Sequence, residues 1–432
     1  MTSPFRKYLS APGLIKTIYH QFSKISDPRE FSREAISIKD HLMSGLAVFG
    51  LKCPSLLDYD RKRKDSATAL NLRDLYHVDN PPSDTYLRER LDQVNPDNLR
   101  SAFKKVFASF QRGKGLEEFE YMDGYLLLTL DGTGHFSSNN VSCPQCCVKQ
   151  HAEGNESYYH QMLGACVVHP NKKNVIPLCP EAIVNQDGST KNDCERNATK
   201  RFLKNFRREH PFLLVIVTAD GLSSTAPNVR MIEEGGHRYI LGAKPGDHQF
   251  LFAQLESSEG SVYHEITTED GHYHQFSFLN RASLNKSNPD VKVNVIEYRH
   301  TDTKGKERTF SWITNIRVSK KNVFKIVKGG RARWKIENET FNTLKNLGYN
   351  FGHNYGHGKK YLSTIFCLLM MLVFAIDQIQ DICCQLFRRC KQRAGTYRNL
   401  WTEMSTLFKY VPLASWENFY AILVGDKQLD TS

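Results

Sequence analysis

The spacing of apolar residues changes along the chain, and each change marks a different kind of element. From Ile38 to Leu57 apolar positions recur at helical spacing, and residues 1 to about 118 read as helical throughout. A basic cluster, Arg61-Lys62-Arg63-Lys64, follows the first of these segments, and then comes NPPSDTYLRERLDQV. There Pro81-Pro82 block a helix from the left, Ser83 or Asp84 can cap, and Tyr86, Leu87, Leu91 and Val94 share one face, with Arg88 and Arg90 elsewhere. Short helices with basic exposed faces fit a helix-turn-helix-like DNA module and fit a plain helical bundle equally well.

From residue 121 the texture becomes strand-like. The run LLLTLDGTG (126–134) predicts a buried strand ending at Asp131, and YYHQMLGACVVH (158–169) and NVIPL (174–178) read as its hairpin partners. Asp193 to Glu209 is an amphipathic helix by spacing; His210-Pro211 ends it, and Phe212 to Ala219 is a second buried strand, ending at Asp220-Gly221. A helix over Ser224 to Glu234 and a strand at Tyr239-Ile240-Leu241 follow. Residues 246–318 carry turn signals between short strands and predict an inserted antiparallel β module. Beyond Asn322 the pattern is helical again, interrupted by a glycine- and histidine-rich turn at Gly348 to Gly358. The order of elements predicts an α/β protein.

The most apolar run, Tyr361 to Ile376, is shorter than the roughly 20 residues a spanning helix needs. Asp377, Gln378, Gln380 and Asp381 continue its helical pattern, so it reads as a buried core helix rather than a membrane span.

Charge and cysteine content narrow the partners. A formal charge of +12 and a pI near 9.1 favour a polyanion, most simply nucleic acid, although solubility alone also explains them. Eleven scattered cysteines do not form a secreted disulfide framework and suggest a reducing cytoplasm; the N-terminus has no apolar signal segment.

Asp131 and Asp220 each end a buried strand, and a third acid lies on the breaker-free stretch RARWKIENETFNTLK. An Asp at a strand end is often only a turn former. Here Trp334, Ile336, Phe341 and Leu344 could pack inward while Glu337 or Glu339 faces the sheet. Three such carboxylates would repel one another unless divalent cations neutralised them. Hard oxygen ligands with open positions suit Mg²⁺ or Mn²⁺, the ions of phosphodiester transfer.

At LDGTG around Asp131, VTADG around Asp220 and RWKIEN around Glu337, the chain resembles the DDE transposases of bacterial insertion sequences. The resemblance covers roughly residues 120 to 360. It implies an RNase H-like mixed sheet flanked by helices, with an all-β insertion and helical N- and C-terminal regions. It divides the chain into a helical DNA-binding region (1–118), a first part of the catalytic core (119–245), a β-rich insertion (246–318), a helix bearing the glutamate (319–360) and a C-terminal helical region (361–432). Asp131, Asp220 and Glu337 would be catalytic and would hold Mg²⁺ or Mn²⁺. The partners would be the element's terminal inverted repeats and target DNA, with a dimer in the synaptic complex, no membrane, and a cytoplasmic, nucleoid-associated location. The insertion resembles that of the cut-and-paste group that passes through DNA hairpins, whose signature is Tyr-x2-Arg-x3-Glu-x6-Lys. Arg333 and Glu337 match it, Gly330 stands in the Tyr place, Leu344 stands in the Lys place, and Lys345 comes one residue later. Arg333, Lys345, Arg88 and Arg90 are the DNA-binding candidates.

Other residues have two readings each. Cys143 and Cys146 form a CxxC pair that makes half a structural zinc site, with His160 or Cys147 as a further ligand, or are free thiols. His160 is a site residue or a satisfied sheet histidine, and Glu195 caps its helix or pairs with Arg196 or Lys200. The turn holding His353 and His357 reads as a surface turn or an approach to DNA, and Trp312 as a core residue or a stacking platform.

Overall fold

The computed structural model describes residue 6 and residues 8–27, 36–152, 154–185 and 194–428. Asp193, the expected start of the amphipathic helix, lies outside these residues. The chain opens with six helices: α1 (Ala11–Phe22), α2 (Ile38–Gly50), α3 (Leu56–Lys62), α4 (Ser66–Tyr76), α5 (Asp84–Leu91) and α6 (Arg100–Arg112). Ser83 caps α5 by accepting the Tyr86 amide at 3.4 Å, and Leu87 and Leu91 are buried. Strands β1 (Glu120–Met122), β2 (Tyr125–Ser138), β3 (Cys147–Gln150), β4 (Glu156–Val168), β5 (Ile176–Pro177) and β6 (Glu181–Ile183) follow. Next come α7 (Glu195–Glu209), β7 (Val215–Ala219), α8 (Ala226–Glu234), β8 (Arg238–Gly242) and α9 (Gln249–Ser257). Strands β9 (Val262–Thr267), β10 (Tyr273–Asn285), β11 (Asn288–Thr301) and β12 (Glu307–Thr314) precede the last helices. These are α10 (Val323–Arg331), α11 (Asn342–Asn346), α12 (Leu362–Cys383), α13 (Gln385–Ala394), α14 (Tyr397–Tyr410) and α15 (Trp416–Val424).

The twelve strands of the described residues join one mixed sheet, in the order β3-β4-β2-β7-β8-β12-β11-β10-β9, with β1 beside β2, and β5 and β6 beside β4. The pairs β2–β7 and β7–β8 are parallel, and the others are antiparallel. The expected compact β module at 246–318 is therefore corrected in two respects. It begins with a helix, α9, and its strands continue the main sheet, because β12 pairs with β8 through Trp312↔Gly242 and Ile313↔Leu241. An open edge on β8 would expose unpaired amides and carbonyls, and β12 satisfies them. The likeness to a separate insertion domain of the hairpin-forming group has no counterpart in this arrangement.

Two strands differ from their expected extent. β2 does not stop at Asp131 but runs on to Ser138, since antiparallel pairing with β4 continues to Ser138↔Tyr158 past a bulge at Gly134/Phe136. β7 begins only at Val215, leaving Phe212 92% exposed.

Helix α12 is the one element among the described residues long and apolar enough to cross a membrane, but 94% of its apolar window is buried within the protein. Helices α1, α2, α5 and α6 pack around it, so the N-terminal and C-terminal helical regions share one core. Asn71 of α4 ties them further, donating to the Phe408 and Val411 carbonyls at 2.8 Å and accepting the Leu413 amide at 2.7 Å.

The stretch expected as one helix over 331–345 is broken. α10 runs through Gly329-Gly330 to Arg331, turns at Ala332-Arg333, and re-forms with a π-helical turn at Ile336–Phe341 before α11. Gly329 and Gly330 let α10 sit on the sheet: a Cβ on Gly330 would lie 2.6 Å from the Trp312 indole nitrogen and 3.0 Å from Ile240. Trp312 is accordingly a core residue, 6% exposed, and no tyrosine could occupy position 330 in this packing. Overpacking of this kind costs about 1–3 kcal/mol. Gly330→Ala is therefore expected to lower the urea midpoint by an equivalent amount, while Gly352→Ala, with nothing within 4 Å of its Cβ, leaves it unchanged. Equal midpoints for the two variants would refute this account.

Candidate active site

Parallel pairing of β2 with β7 runs in register from Leu126↔Val215 to Thr129↔Thr218. Asp131 and Asp220 each lie two residues past that last rung, so they stand at one level on adjacent strands. β7 ends there because Asp220 turns its carboxylate back onto the Leu222 amide (3.1 Å), opening a 3₁₀ turn at Gly221–Ser223. Asp131 accepts the Gly132 amide at 3.1 Å.

Alternation along β2 sends Leu127, Thr129 and Asp131 to the face covered by α10 and the π turn. Leu127 packs under Gly329, the Thr129 hydroxyl donates to the Arg333 carbonyl (3.4 Å), and Asp131 meets the Arg333 side chain. The rung opposite Asp131 is Gly164 of β4, and a Cβ there would stand 2.8 Å from Phe341 and 3.5 Å from Ile336. The π turn thus seats its two apolar residues on a glycine at the level of Asp131. Its wider spacing buries Ile336, Thr340 and Phe341 together and leaves Glu337 at the rim.

Glu337, not Glu339, joins the aspartate. Arg333 Nη1 lies 3.2 Å from Asp131 Oδ2 and 2.8 Å from Glu337 Oε1, and its side chain is 14% exposed. The guanidinium stands between two acids, where a cation would otherwise be required. Trp334, expected to pack inward, is 50% exposed beside it, because the turn at Ala332-Arg333 rotates it off the core face.

Glu195 is a fourth acid at the site. Its carboxylate lies over Gly132, on the face of β2 opposite Arg333, in space that a Cβ at 132 would fill. Among the described residues it makes no ion pair with Arg196 or Lys200. Burial raises its carboxyl above the ordinary range, and the charge of Asp220 adds to the effect. Burial likewise pushes Asp131 up to about 7 against the pull of Arg333, with Glu337 and Glu195 acting in the same direction as burial. Nothing in the chain's periodicity marks Glu195; the cue is glycine at 132, which leaves room above the strand.

Asp131, Glu195 and Asp220 share a cleft of about 280 Å³ with Gln161, Thr199 and Asn228. Asp220 also opens on a wider groove of about 640 Å³, lined by Lys244, Thr309, Ser311, Arg333 and Trp334. No family model and no curated relative matches the chain.

The remaining candidates lie apart from these acids. Arg88 pairs with Asp84 at 3.2 Å, and its stem lies against Gly356. Arg90 stacks near Tyr86, and Lys345 is exposed on α11. Cys143 and Cys146 meet His160 and also His357, forming a Cys2His2 cluster that could hold a metal such as zinc. His357 is 8% exposed and joins the cluster, whereas Gly352, His353 and Asn354 of the same turn lie on the surface. Cys147 points elsewhere, its thiol 3.7 Å from the Ile183 carbonyl.

Proposed function

We propose that the chain is a DNA transposase that binds its element's ends, cuts them and joins the 3′ ends to target DNA. The observation that carries this reading is the acid constellation: Asp131 and Asp220 at one level on adjacent parallel strands, and Glu337 brought to Asp131 across Arg333. Further support comes from the sheet, in which antiparallel β4 and β2 are followed by parallel β7 and β8 across helices α7 and α8, as an RNase H-like core would require.

The donor set suits hard divalent cations, Mg²⁺ or Mn²⁺. All four acids offer oxygen, and Arg333 already bridges two of them. Asp131, Asp220 and Glu337 would hold the ions, with Glu195 alongside. When bound, such ions activate a water or 3′-hydroxyl and neutralise charge growing on the phosphate. The chain's own groups do the rest. Arg333 pairs with Asp131 and Glu337 in the resting protein and is placed to turn to a phosphate at the mouth of the wider groove. Lys244, which also lines the groove, adds a phosphate contact, and the exposed Trp334 ring offers a base-stacking surface. The excess of 58 Lys and Arg over 46 Asp and Glu supplies salt-dependent affinity for the duplex, to which Arg88, Arg90 and Lys345 contribute. A cytoplasmic, nucleoid-associated dimer follows from this reading.

The test uses terminal-repeat DNA whose 3′ end is already cut, incubated with target plasmid and Mg²⁺. Joined products are expected. Hydrolysis without joining would make the protein a nuclease of the same fold, and neither reaction would make it a non-catalytic DNA-binding scaffold. Within the proposal, Glu195→Gln is expected to weaken Mn²⁺ binding and cleavage by on the order of 10–100-fold, the usual effect of losing a supporting ligand. An unchanged Mn²⁺ titration would remove Glu195 from the site.

A further inference from the structure

The cysteine–histidine cluster lies away from the acids and has the geometry of an ion site in its own right. Cys143 Sγ and Cys146 Sγ are 3.9 Å apart, His160 Nε2 is 3.5 Å from each sulfur, and His357 Nε2 is 3.5 Å from Cys146 Sγ. All four atoms fall within 4.8 Å of one another. A tetrahedron with zinc–sulfur bonds of about 2.3 Å and zinc–nitrogen bonds of about 2.0–2.1 Å has S···S edges of about 3.8 Å and S···N edges of about 3.5 Å. The sulfurs are too far apart for a disulfide.

Both imidazoles turn Nε2 toward Cys146 Sγ, and His160 Nε2 also faces Cys143 Sγ, so the four ligand atoms converge on one point. A cation at the centre would take one ligand atom from each of the four residues. Two thiolates and two imidazoles select zinc among common divalent ions, and a site closed by four protein ligands is structural rather than catalytic.

We infer that the chain holds one resident zinc ion, bound by Cys143, Cys146, His160 and His357, which clasps the segment after the glutamate helix to the strand pair that carries Asp131. The ligands come from three places: the loop between β2 and β3, β4 itself, and residues 347–361 between α11 and α12. His160 sits opposite Phe136 in the β2–β4 ladder, and the Phe136 ring lies 4.4 Å from that of His357. The 347–361 segment has no helix or strand; Tyr349 holds it to Asp377, Tyr355 to the Cys53 carbonyl, and the amides of Lys359, Lys360 and Tyr361 to Asp92. The zinc adds a cross-link at residue 357, between these contacts, on the chain that leads away from Glu337. The zinc site does not depend on what the acids do.

The test is metal analysis of the full chain purified without added metal or chelator, with hydrogen exchange before and after chelation. One zinc per chain is expected, falling below about one-fifth in His357→Ala and in Cys146→Ser. Cobalt substitution of the wild type should give the intense visible bands of a tetrahedral dithiolate site. Chelation of the wild type, which needs no folded variant, should speed exchange at residues 348–358 and leave β7 protected. Zinc below one-tenth per chain, another metal in its place, or full zinc in His357→Ala would overturn the assignment. Unchanged exchange at 348–358 after zinc removal would overturn the clasp.

Discussion

Asp131→Asn is expected to abolish cleavage of terminal-repeat DNA, by on the order of 10²–10³-fold or more, with gel-shift affinity nearly unchanged. The substitution keeps the side chain's size and its place two residues past the last β2–β7 rung, and removes one charge and one hard ligand. Under the proposed function DNA affinity would come from basic residues elsewhere, so it should hardly move. Ca²⁺ should support binding without cleavage in the wild type, because its looser coordination does not align the reacting groups.

The same variant makes a stability prediction of definite sign. An aspartate ionises near 3.9 in an unfolded chain, whereas burial and neighbouring acids raise Asp131 to about 7 in the folded one. Between those values the folded state binds more protons, so metal-free stability falls as pH rises from about 4 to about 7. Asp131→Asn should lack that fall and should melt above the wild type at pH 8 in chelator. Adding Mg²⁺ or Mn²⁺ should raise the wild-type Tm and close the gap, through linkage. Wild-type cleavage rates in the variant would reduce Asp131 to a turn former.

The second large effect is on stability. Asp377→Ala should cost about 3–5 kcal/mol in urea unfolding, the usual result of removing one partner of a buried ion pair. Asp377 accepts Lys52 Nζ at 2.8 Å and the Tyr349 hydroxyl at 2.6 Å, with side-chain exposures of 9% for Asp377 and 5% for Lys52. The Lys52 ammonium lies 4.2 Å from the centroids of both the Tyr349 and Trp401 rings, in buried surroundings that keep it from water when its partner is lost. Burial already lowers the Lys52 pKa, and without Asp377 it should fall further. A lysine held below its unfolded value binds fewer protons folded than unfolded, so the variant should regain stability as pH rises toward about 10. Loss of less than about 1 kcal/mol, with no recovery between pH 7 and 9.5, would show that Lys52 finds another route to solvent.

Asp377 also shows how much of the fold could be read beforehand. Polar residues continuing the helical pattern past Ile376 mark α12 as a core helix, and it is buried among α1, α2, α5 and α6. The apolar runs before Asp131 and Asp220 were legible because a buried strand is a local pattern, and the two aspartates follow from where those runs stop. The coarse alternation of helical and strand regions was legible for the same reason.

What the sequence by itself determined was thus which segments are apolar, on which period, and which acids and cysteines sit at their ends. The tertiary structure alone decided which segments meet. Pairing of β12 with β8 carries the 246–318 strands into the main sheet, a choice set by a free sheet edge and not by any pattern within those strands. Glu195 reaches the acids only because Gly132 leaves space on the far face of β2. The π turn that presents Glu337 depends on Gly164 from another strand, and His357 joins His160 across 197 residues. Periodicity reports which side of an element is buried; it holds no information on the partner that buries it. That partner is chosen by packing, edge pairing and chain closure over long sequence distances, where glycines and lone histidines leave no periodic trace.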